Sequence, residues 1–316
     1  MKSEFRIGTR GSKLALYQAE LVKAKLEGVF PLLRFTLVKI KTSGDMIRRA
    51  APDPFSTKRV YTKEIEEALG QNEIDLGVHS AKDLAVELPA GLSLGAVLQR
   101  EDPRDCLISR EGKKLNELPL GARVGTSAVR RRLQLLRLHP DLVVEDIRGN
   151  VDTRIHKLAE GTVDALVLAY AGVNRLGMTS SVTEIFPEEK FYPAPCQGAI
   201  VVETRLDDYE LKELLRALNH SESAFQVAGE RAFLKRLEGG CQLPSGVTTH
   251  IEGESEKKVT MAGVLFSLDG RQHIEAKVEA SYEHPEAIGV RLAEEILMNG
   301  GESVLREMRR AGGKSK

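Results

Sequence analysis

The sequence is poor in cysteine and aromatic residues and has no excess of either charge. Its 316 residues include only Cys106, Cys196 and Cys241, which are too few and too widely spaced for a disulfide framework or a C-x-x-C metal site. Lysine plus arginine equals aspartate plus glutamate, at 46 each, and aromatic residues make up 5%. Nucleic-acid binders need a basic surface and often stacking aromatics. We therefore expect no metal site and no nucleic-acid partner.

Long apolar runs are also missing. No stretch approaches the roughly 20 apolar residues that cross a bilayer, and the opening MKSEFRIGTRG predicts a strand without the apolar core of a signal peptide. We therefore expect a cytoplasmic protein with no membrane partner. The length exceeds what one hydrophobic core usually supports, which indicates two or three domains.

Predicted strands and helices alternate from the first residues, which is typical of an α/β protein with a mostly parallel sheet. The order then recurs, because the strand-to-helix turn at Arg6–Thr9 is matched by the one at Arg123–Thr126. We infer two similar α/β lobes with a cleft between them, where ligands of such sheets collect. The first lobe is predicted to comprise residues 1–98 with 197–217, the second 99–196, and a small C-terminal α+β domain 218–316.

Arginine is concentrated between Arg123 and Arg154, where seven arginines and no lysine occur within 32 residues. A planar guanidinium grips carboxylate or phosphate with two parallel hydrogen bonds, which lysine does not do. Four of these arginines adjoin predicted strand-to-helix turns, where free backbone N–H groups also attract anions: Arg130, Arg131, Arg148 and Arg154. They predict an anion site, and the alternative interpretation is a solvated helix face.

Polar residues follow the predicted strands of the first lobe. Arg10 and Ser12 come after the first Gly-Thr turn. Lys82 and Asp83 come after the third strand. An aspartate beside a lysine, at the edge of an arginine-lined cleft, is well placed to move protons. The alternatives are a helix N-cap or a surface ion pair.

Two further segments are predicted to be loops. The proline-rich segment 52–59, with the cation Lys58, is predicted to be a mobile flap. Cys241 follows paired glycines, and a thiol with a pKa near ~8.5 becomes a useful nucleophile where cations or helix starts stabilise its thiolate. The sequence shows no such partner, so covalent chemistry at Cys241 stays open. Cys106 and Cys196 are predicted to be passive thiols.

Several motifs, in chain order, resemble those of one family. They are GTRGSKLAL at 8–16, HSAKD at 79–83, EDPRD at 101–105, GTSAVRR at 125–131, RGNVDTR at 148–154, QGA at 197–199 and EGGCQLP at 238–244. Together they are similar to the porphobilinogen deaminases over nearly the whole chain. The resemblance implies two lobes like those of type II periplasmic binding proteins and a third domain. Enzymes of this family join four porphobilinogen molecules head to tail, release ammonia, and hydrolyse off hydroxymethylbilane for haem-type tetrapyrroles.

The resemblance also implies a role for each candidate residue. Cys241 carries a dipyrromethane cofactor through a thioether. Asp83 is the catalytic carboxylate, which hydrogen-bonds pyrrole N–H groups and stabilises the cation formed as ammonia leaves. The cofactor carboxylates are bound by Lys82, Ser127, Arg130 and Arg131. The acetate and propionate of incoming porphobilinogen are bound by Arg10, Ser12, Arg148, Arg154 and Arg175. A monomer is expected.

Three positions depart from the family pattern. Ser56–Tyr61 stands where a glycine-rich flap sequence is common, Ala128 where a serine is common, and Cys196 where a glycine is usual. The main alternative function is a non-catalytic, two-lobed carboxylate-binding protein. It would explain the cleft and the arginines, but not Lys82-Asp83 together with Cys241.

Overall fold

The first lobe is built on a sheet whose first strands run in parallel. The computed structural model describes residues 2–46, 60–238 and 243–313. The lobe opens with β1 (Glu4–Arg10), α1 (Lys13–Val29), β2 (Arg34–Ile40), α2 (Ser43–Met46), α3 (Lys63–Gly70), β3 (Leu76–Ser80) and β4 (Leu92–Val97). Strand β1 pairs in parallel with β2 and β3. Alternate residues of β1, Phe5 and Ile7, pack against one face of α1, which contributes Val22 and Leu26 to the core.

The second lobe repeats this plan. It contains β5 (Asp105–Ser109), β6 (Arg123–Gly125), α4 (Val129–Leu138), β7 (Val143–Glu145), α5 (Val151–Ala159), β8 (Ala165–Ala169), α6 (Tyr170–Arg175) and β9 (Glu184–Ile185). Strand β6 pairs in parallel with β7 and β8, whereas β5 is antiparallel to β8 and β9. The core includes Leu107, Val124 and Val167, one residue from each of β5, β6 and β8.

The chain then returns to the first lobe through β10 (Ile200–Arg205) and α7 (Tyr209–Leu215). Strand β10 lies between β3 and β4 and is antiparallel to both. The strand orders are β2-β1-β3-β10-β4 and β7-β6-β8-β5-β9, so each sheet has a crossing strand inserted antiparallel at its fourth position. The predicted repeat of two similar lobes is therefore confirmed. The domain boundaries given above stay predictions.

The third domain packs helices on one face of a small antiparallel sheet. It contains α8 (Ser221–Arg236), β11 (Ser245–Glu252), β12 (Lys258–Phe266), β13 (His273–Ser281), α9 (Pro285–Ile296), a π-helical turn (Leu297–Gly301) and α10 (Glu302–Gly313). Helices α8 and α9 cross closely, because a Cβ on Gly289 would lie 2.0 Å from the carbonyl oxygen of Gly229. The predicted fold class, α/β with two similar lobes plus a small C-terminal α+β domain, is confirmed. Within the three described ranges, no helix is both long and apolar enough to span a bilayer.

Candidate active site

The Lys82-Asp83 pair lies where the sequence predicted, at the end of β3. The two residues belong to a single 3-10 turn, Ala81–Asp83, and both side chains are partly buried. The Nζ of Lys82 donates to the Oε1 of Gln197 at 3.1 Å. Burial lowers the pKa of Lys82 to about 8, and the nearby Arg131 guanidinium adds to this effect, while Asp83 and Asp105 oppose it. Burial is thus the main cause of the lowered pKa of Lys82, and its charged neighbours are two guanidiniums, Arg130 and Arg131, and two carboxylates, Asp83 and Asp105.

Arg130 and Arg131 are buried rather than displayed on a solvated helix face. Both lie in the first turn of α4, and both bind the carboxylate of Asp105, which is fully buried. Arg130 Nη1 lies 2.8 Å from Asp105 Oδ2, and Arg131 Nη2 lies 2.8 Å from Asp105 Oδ1. Burial alone would raise the pKa of Asp105, but the two guanidiniums bring it down to about 2. Asp105 was not among the site residues proposed from the sequence.

Gln197 connects the two lobes beside this cluster. Its Nε2 donates to Asp105 Oδ1 at 2.8 Å and to the Pro103 carbonyl oxygen at 2.7 Å. Its Oε1 accepts from Lys82 of the first lobe and, at 3.4 Å, from Arg131 Nη2 of the second lobe. Gln197 lies in the return segment and was recognised only as part of the QGA motif. A single buried amide thus contacts residues of both lobes and of both crossing segments.

Asp105→Asn is expected to destabilise the fold by about 3–5 kcal/mol, because it leaves Arg130 and Arg131 buried without a carboxylate. The unfolding free energy in urea measures the effect. The stability that Asp105 contributes is present above its unfolded pKa near 3.8 and is lost as the pH falls towards 2. The variant should therefore lack this part of the decrease in unfolding free energy at low pH. Glu67→Gln, at the exposed Lys63–Glu67 pair, is the control and should change stability by less than about 1 kcal/mol. Equal effects of the two substitutions would contradict the structural role of Asp105.

The other three predicted arginines of the second lobe lie at helix ends: Arg148 and Arg154 at the start of α5, and Arg175 at the end of α6. Arg154 donates from Nε to the Gly149 carbonyl oxygen at 2.7 Å, and burial, followed by the charge of Arg131, lowers its pKa to about 10. Arg148 is more exposed and pairs with Asp146 at 3.0 Å. Arg175 donates to the Gly198 carbonyl oxygen at 2.7 Å, and burial lowers its pKa.

The residues predicted in the first lobe have identifiable structural contacts. The Arg10 guanidinium lies over the ring of Tyr61, with its Cζ 4.3 Å from the ring centroid. Ser12 is the N-cap of α1, and its Oγ accepts from the Ala15 N–H at 3.3 Å. Ser127, in the turn between β6 and α4, is partly exposed. Lys58 and Cys241 lie outside the described residues, so their predicted roles rest on the sequence.

The other two cysteines are unsuited to nucleophilic chemistry. Cys106 and Cys196 are free and buried, and burial raises the pKa of each thiol to about 12. Cys196 also has a φ of 62°, a backbone conformation that favours glycine and accounts for the glycine expected at this position. Both thiols therefore fit the passive role predicted from the sequence.

A buried ion pair ties the third domain to the crossing segments. Arg100 Nη1 lies 2.6 Å from Glu230 Oε1, and Arg100 Nη2 lies 3.1 Å from Glu230 Oε2. Glu230 also accepts from the Cys196 N–H at 2.5 Å, and Arg100 Nε donates to the Gln197 carbonyl oxygen at 2.8 Å. Helix α8 is thus attached to both connections between the lobes. This pair could not be predicted from the sequence, because its members are 130 residues apart.

Comparison with known proteins identifies the family. Residues 5–213 match the model "Porphobilinogen deaminase, dipyromethane cofactor binding domain", and residues 224–298 match "Porphobilinogen deaminase, C-terminal domain". The porphobilinogen deaminase of Pelotomaculum thermopropionicum is 47% identical over 309 residues, covering 98% of each chain. That of Geotalea uraniireducens is 46% identical over 303 residues, covering 96% of this chain and 94% of the relative. Among solved structures, the methionine binding protein MetQ aligns with a TM-score of 0.45 at 15% identity, over 72% of this chain and 95% of that chain.

The two family matches cover both lobes and most of the third domain, and the relatives align over nearly their full lengths. The alternative of a non-catalytic carboxylate-binding protein is therefore not favoured. The chain belongs to the porphobilinogen deaminase family, the transferases that polymerise porphobilinogen into hydroxymethylbilane for tetrapyrrole biosynthesis.

Proposed function

We propose that this chain joins four porphobilinogen molecules head to tail in the cleft, with Asp83 as the catalytic carboxylate and with dipyrromethane attached to Cys241. The observation that carries the proposal is the position of Asp83. It follows β3 directly, beside Lys82, in the cationic cluster that contains Arg130 and Arg131.

The charge of this cluster fits the dipyrromethane cofactor. Arg130 and Arg131 bind the buried carboxylate of Asp105, and together with Lys82 they make three cations against the two carboxylates of Asp105 and Asp83, which leaves an excess of positive charge. Each pyrrole ring of the cofactor carries two carboxylates, and charge-assisted hydrogen bonds to such groups contribute roughly 1.5–3 kcal/mol each. Ser127, partly exposed in the turn before α4, adds a hydroxyl donor. When bound, the dipyrromethane supplies the pyrrole carbon to which the first porphobilinogen is joined.

Asp83 acts on the substrate at the end of β3. Its carboxylate accepts hydrogen bonds from pyrrole N–H groups and stabilises the positive charge that develops on the substrate as ammonia leaves. The same oxygens take up or return a proton at the reacting carbon. Lys82 lies next to this carboxylate and is hydrogen-bonded to Gln197, so the position of its ammonium group is defined.

The incoming porphobilinogen is bound from both lobes. Arg10, the last residue of β1, and Ser12, the N-cap of α1, come from the first lobe. The second lobe contributes Arg148, Arg154 and Arg175, at the ends of its helices and strands. Binding the acetate and propionate by arginine leaves the reacting carbons free of contacts with these side chains. Lys58 is proposed to add a cation from the flap.

Arg148→Lys should weaken chain elongation by about tenfold, because lysine keeps the charge but loses the fork that holds a carboxylate with two bonds. The rise in KM for porphobilinogen, with little change in kcat, measures the loss. Arg132→Lys is the matched control, because Arg132 is an exposed residue of α4 outside the proposed site. Unchanged elongation in Arg148→Lys would count against two-bond gripping at this position.

The intact mass of the denatured protein tests the proposal. After incubation with porphobilinogen, we expect a mass excess of two linked pyrrole units, and peptide mapping should place it on the peptide that contains Cys241. An unchanged mass would instead favour the non-catalytic carboxylate-binding protein.

We also propose that the enzyme acts as a cytoplasmic monomer without nucleic-acid or membrane partners. The balanced charge, with 46 basic and 46 acidic residues, supports the absence of nucleic-acid and membrane partners, because it provides no global positive field to attract nucleic acid or an anionic membrane. Light scattering during size-exclusion chromatography should give the mass of one chain, and a dimer mass would exclude the monomer.

A further inference from the structure

A cavity of about 520 Å³ lies between the first lobe and the third domain. Strand β4 and helix α8 provide most of its lining, and Val86, in the segment that follows Asp83, also lines it. None of the proposed active-site residues that the structure describes lines it. Its apolar surface includes Leu94 of β4 and Val227 and Ala228 of α8. A concave site of this size, mostly apolar with a few polar groups, is typical of small-molecule binding.

Arg231 provides the principal charged group of this cavity. Its Nη2 donates to the carbonyl oxygens of Ala85 at 2.8 Å and Val86 at 2.7 Å. Among the described residues, no carboxylate lies within 4 Å of this partly buried guanidinium. A guanidinium has five N–H donors, so Nε and Nη1 retain the capacity to bind an anion. The arginine is therefore held in place by the backbone while its charge is not neutralised by an ion pair.

Two more cations lie at the edge of the cavity. Arg216 pairs with Glu213 at 3.1 Å, and Lys235 pairs with Glu87 at 3.2 Å. All four of these side chains are largely exposed, and exposed pairs contribute little stability, so either cation can exchange its partner for a ligand. Within the described part of the chain, Glu286 is the one acidic residue that lines the cavity. Over the described ranges, the lining thus has three cations and one carboxylate, and two of the cations are paired with Glu213 and Glu87 at its edge, which leaves Arg231 as the cation without an ion pair.

We propose that this cavity binds a small organic anion with an apolar body. The anionic group pairs with Arg231, and the apolar part lies against Leu94, Val227 and Ala228. The charge of Arg231, which is not neutralised by an ion pair, favours a carboxylate over a neutral ligand, and the apolar walls favour a ring or branched chain over a free inorganic anion. This binding site is separate from the transferase cleft.

Through its position, Arg231 connects a ligand bound in this cavity to the active site. The carbonyl groups that Arg231 binds lie two and three residues after Asp83, so a ligand on Arg231 restrains the segment that follows the proposed catalytic carboxylate. The preceding residue of α8 is Glu230, which binds Arg100 in the crossing segment. This consequence rests on the proposed role of Asp83, whereas the binding site itself does not.

A matched pair of probes tests the site on the cofactor-loaded protein. We expect 1-naphthaleneacetate to bind with one-to-one stoichiometry in calorimetry, and the neutral 1-naphthaleneacetamide to bind at least about tenfold more weakly. Arg231→Met should weaken the acid by a similar factor. Ala228→Phe, which fills the cavity, should abolish binding of both probes without removing any charge. Arg236→Met is the control, because Arg236 lies on the same helix but pairs with Glu294 outside the cavity, and it should bind like the parent protein.

Three results would overturn the proposal. The first is equal affinity for the acid and the amide, or no binding of the acid, because charge recognition would then be absent. The second is undiminished binding in Ala228→Phe, because the acid would then bind elsewhere. Displacement of the acid by porphobilinogen would show that it binds in the cleft. The third is unchanged affinity in folded Arg231→Met. Since binding and not turnover is measured, failure here would leave the transferase proposal standing.

Discussion

Asp83→Asn is expected to keep the covalently attached dipyrromethane and to lose at least about 100-fold in turnover. Asparagine preserves the size of the side chain in the turn after β3, so Lys82 and the segment that follows should keep their positions. It removes the negative charge that stabilises the developing cation and the basic oxygen that accepts a proton, and general acid–base catalysis alone is worth about 10²–10⁴ in rate. Single-turnover formation of hydroxymethylbilane measures the loss.

The intact mass separates the two ways in which this variant can fail. If the inactive variant carries the cofactor, Asp83 acts in the reaction itself. If it lacks the cofactor, Asp83 acts in cofactor assembly. Asp207→Asn, at an exposed aspartate of the same lobe, controls for the loss of a carboxylate and should turn over normally. Near-normal turnover by Asp83→Asn would exclude Asp83 as the catalytic group.

Cys241→Ser is expected to contain no covalent dipyrromethane and to have only background activity. A serine hydroxyl ionises far less readily than a thiol and is a much weaker nucleophile, so the bond to the cofactor carbon should not form. Mass spectrometry of the denatured variant should give the mass of the polypeptide alone. An aldehyde stain for dipyrroles should stay colourless.

Cys106→Ala is the matched control for the loss of a cysteine. Cys106 lies in β5 with its thiol fully buried, and its raised pKa of about 12 excludes it as an attachment site. The variant should therefore keep the full mass excess after incubation with porphobilinogen. A mass excess that persists in Cys241→Ser would show that the cofactor is attached to another residue.

Much of the fold follows from local sequence patterns. Alternation of strand and helix periodicity predicted both α/β lobes, and the matched turns at Arg6–Thr9 and Arg123–Thr126 predicted their similarity, which the two strand orders confirm. Such patterns are local because hydrogen bonding and side-chain periodicity within one element involve residues a few positions apart. The position of Asp83 at a strand end was predictable for the same reason.

The network behind the site depends on contacts between distant parts of the chain. Arg131 is 26 residues from Asp105, Gln197 is 115 residues from Lys82, and Arg100 is 130 residues from Glu230. No periodicity or spacing relates such residues, because the fold alone determines which side chains share a buried volume. The sequence therefore specified the residue types, the lobes and the strand-end aspartate. Only the packing of the lobes and the third domain determined that Arg130 and Arg131 share the buried carboxylate of Asp105. A buried charge needs a partner of opposite charge, and the tertiary structure determines which residue is close enough to provide it.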